Sequence, residues 1–164
     1  NAGLIMGTRC GDIDASIIPY VMEKTGMSPK EIDNAINKES GLLAISRKSS
    51  DSRDVEDGIK AGDENCILAQ KMYVRRIVDY IAKYYVELGG CDAICFTAGV
   101  GENSINTRRD IIKELDVLGI YLDEEANDVR GKERLISTKD SKIACYIIPT
   151  DEELMIAKDT MDLI

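Results

Sequence analysis

The chain has 164 residues, 44% of them hydrophobic, which is enough for one domain with a sizeable core. Its net charge of −9 disfavours a general binder of nucleic acid or of anionic membranes, and no apolar run approaches the length of a membrane span. The lack of any histidine excludes His-dependent triads and His metal clusters within this chain. Its five cysteines form no C-x-x-C pair, so we expect buried free thiols and a cytoplasmic protein.

The first part of the chain predicts short helices joined by polar segments. Apolar residues at helical spacing predict a helix over 13–22. The run SPKE at 28–31 predicts a second helix that starts with a capping box, and Gly41 predicts its end. Residues 42–46 are interpreted as a short apolar link. Residues 47–57 are interpreted as a polar loop that leads into a helix.

The strongest periodic pattern predicts a long helix over 64–88, which Gly89 and Gly90 end. Beyond it, strands alternate with helices, so the sequence predicts an α/β fold with two or three strands and several helices. A sheet this thin predicts that the chain is a fragment of a larger fold. The predicted strands cover 93–97, 119–122 and 142–148, with residues 135–138 as a further candidate. The predicted helices cover 104–115 and 150–162, the second opened by a capping box from Thr150 to Glu153.

Arg9 lies in the segment MGTRCGDID, residues 6–14, where two glycines flank Thr8 and Arg9. Glycines on both sides predict a tightly specified backbone around the arginine. The planar fork of an arginine matches the oxygens of carboxylate and phosphoryl groups. The alternative interpretation is a solvated arginine that pairs with Asp12 or Asp14.

A second polar cluster, SDSRD at residues 50–54, opens a predicted helix. One interpretation is ordinary helix capping by Ser50 or Asp51, with Arg53 in solvent. The other is a clasp in which Arg53 and its polar neighbours hold a purine or a ribose. The residues alone leave both interpretations open.

Residues 94–106 have the pattern of a strand, a glycine turn at 99–101 and a helix that starts near Ile105. Glycines allow a backbone at positive φ and let a ligand approach closely, and a helix start supplies unpaired N–H groups. A nucleotide could therefore bind here. A simple turn between strand and helix is the alternative.

Three carboxylates, Asp151, Glu152 and Glu153, stand at the start of the last predicted helix. Acidic residues in a first helical turn are expected from the helix dipole alone. Magnesium carried by a nucleotide is typically held by one or two carboxylates with phosphates and waters. Since Glu153 is the predicted capping partner of Thr150, we expect Glu152 or Asp151 to face a ligand.

Three of these segments together resemble the acetate kinase family: residues 6–14 (MGTRCGDID), 96–104 (FTAGVGENS) and 148–154 (IPTDEEL). Their order and separations match as well, as do residues 131–132 followed by 136–138. The resemblance covers essentially the whole chain, and it is to the C-terminal part of that family. Each segment alone is a weak signal, whereas the three in this order are specific.

The resemblance implies a fold of the actin-like ATPase, ribonuclease H-like superfamily. Residues 1–164 would be the C-terminal domain for nucleotide binding and dimerisation, without the N-terminal domain. It also implies reversible phosphoryl transfer from ATP to acetate, giving acetyl phosphate and ADP, with Mg²⁺ and in a homodimer. We expect the chain to be inactive alone, because the family's first phosphate loop, catalytic aspartate and histidine, and second arginine lie outside it.

By matching positions, the resemblance also implies roles for individual residues. Arg9 resembles the arginine that stabilises the transition state, and Glu152 resembles the carboxylate that helps to hold magnesium. Asp51, Ser52 and Arg53 resemble an adenosine-contacting segment. The second nucleotide loop would comprise Gly99, Val100, Gly101, Glu102 and Asn103.

Several alternatives remain open at the level of sequence. Propionate and butyrate kinases share these motifs, so the acyl chain is not determined. Ser52 stands where the family commonly has a large apolar residue, which leaves the apolar part of a base contact open. The chain could also be a nucleotide-binding or regulatory module without catalysis, or a dimerisation module built on the apolar face of the 64–88 helix.

Overall fold

A computed structural model describes residues 2–163 and divides the chain into two compact units. The first unit ends at Tyr84 and the second begins at Tyr85. The fold is mixed α/β, as predicted, with helices throughout and a small sheet in the second unit. Within residues 2–163, no helix combines the length and the apolar character that crossing a membrane requires.

Five α-helices begin in the first unit, and two of them start and end close to their predicted bounds. The capping box of α2 is confirmed: the Ser28 side chain accepts from the Glu31 N–H, and the Glu31 carboxylate accepts from the Ser28 N–H. The long helix α5 is confirmed as well, with Gly89 and Gly90 after its end at positive φ. The helices are α1 (Ile17–Thr25), α2 (Pro29–Lys38), α3 (Gly41–Ser46), α4 (Ser52–Lys60) and α5 (Glu64–Glu87).

Other boundaries in this unit were predicted wrongly. The first helix starts at Ile17 rather than at 13, because the Asp14 carboxylate accepts from Ser16 and holds a turn there. Residues 42–46 are not a link but belong to α3, and Gly41 starts that helix instead of ending α2. The polar segment 47–57 is a loop only as far as Asp51, whose side chain caps α4.

The core of the first unit is built around one face of α5. Five residues of this helix at helical spacing are buried, and burying a large apolar side chain contributes about 1.5–3 kcal/mol. The contact with α4 is close at Gly58, where a Cβ would lie 2.3 Å from the Cys66 Sγ. The buried apolar residues are Ile5, Ile32, Leu42, Val55, Cys66, Ala69, Tyr73, Val74 and Val78.

The second unit carries a three-stranded sheet in the order β1-β3-β2, with β1 (Ala93–Phe96), β2 (Arg134–Leu135) and β3 (Ala144–Ile147). The central strand β3 pairs parallel to β1, with Ala93 opposite Ala144, and antiparallel to β2. Its Cys145 and Ile147 are fully buried. The helices of this unit are α6 (Ala98–Asn103), α7 (Ile105–Glu114), α8 (Glu124–Asn127) and α9 (Glu152–Asp162).

Three details of the second unit differ from the sequence-based predictions. The predicted strands at 119–122 and 135–138 reduce to an isolated bridge between Leu122 and Ser137, and to the two residues of β2. Strand β1 carries Cys95, whose thiol was expected to be buried, yet Ala93 and Cys95 are exposed because β1 lies at the sheet edge. The prediction that the cysteine thiols are buried is therefore confirmed for Cys66 and Cys145 but is wrong for Cys95.

Arg108, on α7, is fully buried in the core of the second unit. Its guanidinium donates to the side-chain oxygen of Asn127 at 2.8 Å and to the carbonyls of Gly101, Asn127 and Val129 at 2.7–2.9 Å. Desolvation lowers the pKa of this group, and Arg130 adds to the effect. The guanidinium therefore fastens α6, α7 and α8 to one another with hydrogen bonds to neutral oxygens.

We predict that Arg108→Met destabilises the protein by on the order of 3 kcal/mol, because four acceptors lose a charged donor inside the core. The matched control is Arg109→Met on the next position of α7. Its partner Glu124 is largely exposed, so the cost stays within about 1 kcal/mol. Urea unfolding followed by circular dichroism measures both variants. Equal midpoints for the two would contradict a structural role for the Arg108 network.

Candidate functional site

Arg9 lies on a loop whose backbone is bonded on both sides of it. The Met6 N–H donates to the Arg9 carbonyl at 3.1 Å, and the Cys10 N–H donates to the Ile36 carbonyl at 3.0 Å. The Ser40 N–H donates to the Thr8 carbonyl. These bonds fix the Cα–Cβ direction of Arg9, as the flanking glycines led us to expect.

Gly41 shows how closely α3 packs under this loop. It has φ +67, and a Cβ there would lie 2.2 Å from the Met6 carbonyl oxygen. The Leu42 and Leu43 N–H groups donate to the carbonyls of Met6 and Gly7 at 3.0 Å. Any side chain at position 41 would both strain the backbone and push the Arg9 loop away.

The Arg9 side chain is exposed, and it does not pair with either carboxylate that the sequence offered. The Asp12 carboxylate accepts from the Gly3 N–H and from the Tyr80 hydroxyl, and Asp14 accepts from Ser16. Among residues 2–163, no hydrogen bond or ion pair to the Arg9 guanidinium is found. The pairing of Arg9 with Asp12 or Asp14 is therefore not found, whereas the solvent exposure that this interpretation also expected is confirmed. The guanidinium stays available to an anion.

Helix α5 holds the far end of the same loop. The Tyr80 hydroxyl donates to Asp12 Oδ2 at 2.5 Å, and the Arg76 guanidinium donates to the Asp12 carbonyl at 3.3 Å. The hydrogen bond from Tyr80 and the bond from the Gly3 amide keep the pKa of Asp12 below its ordinary value. No motif in the sequence marked Tyr80, because its pattern is simply that of an α5 surface residue.

Asp51 and Arg53 form an ion pair at the start of α4. The Asp51 carboxylate accepts from the Arg53 N–H at 2.8 Å, which caps the helix, and it also accepts from the Arg53 guanidinium at 2.6 Å. The hydrogen bonds from Arg53 lower the pKa of Asp51 to about 2. The Arg53 side chain is 83% exposed, so a ligand could reach the face of the guanidinium turned away from Asp51. Capping by Asp51 is thus confirmed, and a clasp at Arg53 is compatible with it.

The segments around Arg9 and Asp51 meet within the first unit. A Cβ on Gly7 would lie 2.7 Å from the Ser50 carbonyl oxygen, so the two loops are in direct contact. The structure therefore brings two of the sequence-predicted clusters together.

The glycine segment 99–101 is not an open turn. It lies inside α6, which begins at Ala98, directly after β1 and Thr97. The residue at positive φ is Ala98, at +57, whereas Gly99 and Gly101 are not at positive φ. A Cβ on Gly101 would meet the Phe96 backbone at 3.1 Å, while nothing lies within 4 Å of a Cβ on Gly99. Close packing against Phe96 explains why position 101 is a glycine. The backbone at Gly99, in contrast, has free space beside it.

The predicted capping box at Thr150 is wrong. Asp151 caps α9 by accepting from the Leu154 N–H at 3.0 Å, so Glu153 is not a capping partner and Asp151 is engaged. Thr150 instead donates its N–H and its hydroxyl to Glu102, at 2.8 and 3.0 Å. Of the residues predicted to face a ligand, Glu152 keeps an exposed carboxylate in the first turn of α9.

Gly99 and Glu152 line one open cleft of about 500 Å³, together with Ala98, Thr150, Asp151 and Glu153. Of the predicted loop, Val100, Gly101 and Asn103 do not line this cleft, and the Asn103 amide donates to the Gly99 carbonyl at 2.9 Å. Within the described residues, no three Cys, Asp or Glu side chains are placed to enclose a metal ion. A metal that arrives with its own phosphate ligands fits this donor set better than a metal held by protein alone.

The comparisons with known proteins agree on one family. A family profile described as the Acetokinase family matches residues 1–158. The acetate kinases of Halothermothrix orenii and Clostridioides difficile are 51% and 52% identical to the chain over 162 residues. These matches cover 99% of the chain but 41% of each relative, so the chain spans about two fifths of their length.

Solved structures give the same result for the fold. The acetate kinase of Porphyromonas gingivalis superposes with a TM-score of 0.93 at 45% identity, over 98% of this chain and 41% of that one. A propionate kinase from Francisella tularensis also reaches 0.93, at 40% identity, over 99% of this chain and 41% of its own. The predicted fold class is thereby confirmed.

We predict that Tyr80→Phe loosens the loop that carries Arg9, because the Asp12 carboxylate loses its donor on α5. Amide hydrogen exchange should become several-fold faster at Gly3 and Asp12, whose N–H groups bond within this loop. Tyr84→Phe, one turn further along α5, is the control and should leave these amides unchanged. Equal protection in both variants would contradict an anchoring role for Tyr80.

We predict that Arg53→Ala raises the pKa of Asp51 from about 2 toward its ordinary value of 3.8. Since the pKa of Asp51 is lowered in the folded state, its contribution to stability is present above pH 3.8 and is lost as the pH falls through about 2. Carboxyl-carbon NMR titration measures the change, with Lys60→Ala at the other end of α4 as the control. An unchanged pKa in Arg53→Ala would contradict the assignment of the shift to Arg53.

Proposed function

We propose, from the premise that this chain belongs to the acetokinase family, that it is the C-terminal part of a two-domain acetate kinase. The intact enzyme would transfer the γ-phosphoryl group of ATP to acetate, reversibly, giving acetyl phosphate and ADP. The observation that carries this proposal is Arg9: its backbone is fixed, while its guanidinium has no partner among the described residues. An arginine held in this way suits a charge that appears only when a ligand reacts.

Arg9 would stabilise the transferring phosphoryl group. In phosphoryl transfer the protein contributes positioning and charge stabilisation rather than covalent chemistry. A guanidinium with a fixed Cα–Cβ direction can hold two phosphoryl oxygens without much reorganisation when the charge develops. Tyr80 would support it from α5 by donating to Asp12 at the end of the Arg9 loop.

The cleft beside α9 would hold the nucleotide phosphates and their metal. Gly99 leaves room for a phosphate to approach the backbone, and Glu152 supplies one carboxylate. Mg²⁺, when bound with ATP or ADP there, would neutralise phosphate charge during transfer. The exposed face of Arg53, with Asp51 and Ser52, is the proposed contact for the adenosine part.

The remaining parts of the reaction would come from outside this chain. Since it spans 41% of the acetate kinases it matches, we propose that the chain alone does not turn over. Acceptor choice is a further proposal. Acetate is favoured because several matched acetate kinases, at 45% to 52% identity, are more similar to the chain than the propionate kinase is at 40%. We also propose that the enzyme acts in the cytoplasm.

Dimerisation is a second candidate function of this chain. Several large apolar residues near the end of α5 are exposed, among them Val86 at 77% and Leu88 at 72%. Surface of this kind favours a homodimer, in which such side chains would be covered. Sedimentation of the intact protein, compared with its Val86→Lys, Leu88→Lys variant, tests this proposal. A wild-type monomer would contradict it.

The test of the proposed function is acetyl phosphate formation, trapped with hydroxylamine, by the intact kinase and its Arg9→Ala variant. We expect kcat to fall on the order of 10³-fold, by analogy with arginine fingers in phosphoryl transfer. The KM for MgATP should change far less, because Arg9 would act on the transferring group. Arg75→Ala on α5, where the arginine already pairs with Asp79, is the control and should retain activity.

Propionate and butyrate serve as parallel acceptors in the same assay. A higher kcat/KM for propionate than for acetate would reassign the substrate within the family. Wild-type protein that phosphorylates none of the three acids, or an Arg9→Ala variant as fast as wild type, would contradict the proposed function.

A further inference from the structure

Glu102 connects the two walls of the cleft beside α9. Its Oε1 accepts from both the N–H and the hydroxyl of Thr150, 48 residues away, at 2.8 and 3.0 Å. The Ala98 N–H, at the start of α6, adds to the lowering of the pKa of the same carboxylate. The Glu102 side chain on α6 thus binds the loop that leads to α9, and both segments line the cleft.

These loops leave the sheet side by side, at the carboxyl ends of the parallel strands β1 and β3. The strand ends are already joined, because the Ile148 N–H donates to the Phe96 carbonyl at 2.9 Å. Beyond that bond the chains diverge, one into α6 and the other toward α9. The contact between Glu102 and Thr150 is the next link between them.

Charge argues against Glu102 as a ligand for a nucleotide. A carboxylate repels phosphate unless a metal lies between them, and the hydrogen bonds from Thr150 and Ala98 keep the pKa of Glu102 below its usual range. Glu102 therefore stays ionised at neutral pH. Its charge is directed at the internal donors, so it stabilises the fold of the cleft rather than a bound anion.

We propose that Glu102 is a positioning residue, which fixes the separation of the Gly99 and Glu152 walls by holding Thr150, and is not itself a nucleotide contact. This inference rests on the proposed function, since the cleft matters for the reaction only if MgATP binds there. It revises the role that the family resemblance implied for Glu102 and leaves Gly99 as the residue open to the ligand.

A double-mutant cycle on the intact kinase tests this proposal, with Glu102→Ala, Thr150→Val and the two combined. If Glu102 acts through Thr150, both single variants raise the KM for MgATP, roughly ten-fold for Glu102→Ala, and the double variant is no worse than Glu102→Ala. The kcat at saturating MgATP should fall less than about three-fold. A variant that is merely less stable would instead lose kcat with its folded fraction and keep its KM.

Two further variants serve as checks. Thr150→Ser keeps both donors and should retain a KM near that of wild type. Glu133→Gln removes a carboxylate from an exposed loop of the same unit and should leave both constants unchanged. If Glu102→Ala does not fold, Glu102→Gln takes its place in the cycle, with a smaller effect because one oxygen acceptor remains.

The outcomes separate this inference from the function on which it rests. Effects on KM that multiply in the double variant, or a Glu102→Ala variant with wild-type KM, would overturn the positioning role while the kinase itself stays active. A wild-type protein that forms no acyl phosphate would overturn the proposed function and this inference with it.

Discussion

A guanidinium buried without a carboxylate partner organises the second unit of this protein. Arg108 donates to three backbone carbonyls and to one side-chain amide, from α6, α8 and the segment after α8. Because a buried charge is costly unless it is hydrogen-bonded, these four oxygens must stay where they are. The carbonyl of Gly101 is one of them, so Arg108 holds α6 on the side that faces the core. Its other side, at Gly99, is left open to the cleft.

The first unit has a similar arrangement, in which hydrogen bonds fix the backbone of a loop whose arginine side chain is exposed. Hydrogen bonds from α3 and from the loop before it hold the Arg9 loop, and Tyr80 holds its end. In both units the residues proposed to meet a ligand lie on loops or helix starts, and regular elements immobilise their supports. Positioning of this kind is what phosphoryl transfer requires of a protein.

The sequence predicted well those features that depend on local chemistry. The capping box of α2, the periodicity of α5 and the strand predicted within 142–148 depend on patterns of a few turns or residues, and each was confirmed. The two glycine errors have a different origin. Gly41 and Gly101 were interpreted as a helix end and a flexible turn, but packing against Met6 and Phe96 explains them, and such contacts are not visible in one sequence. The capping box predicted at Thr150 was wrong for the same reason, since the Thr150 hydroxyl bonds to Glu102, 48 residues away in the sequence.

One residue that the sequence analysis missed did leave a signal. Arg108 interrupts the apolar stripe formed by Ile111, Ile112 and Leu115, and a charge at such a position needs buried hydrogen-bond partners.

The proposed reaction depends most on the cleft beside α9, where the metal and the nucleotide phosphates would bind. Crystals of the intact protein grown with MnADP test this directly, because the anomalous signal of manganese locates the metal without reference to the protein. We predict a manganese peak within coordination distance of the Glu152 carboxylate, with the phosphates against Gly99. A metal and nucleotide bound elsewhere in the same crystals, with Glu152 in solvent, would contradict it.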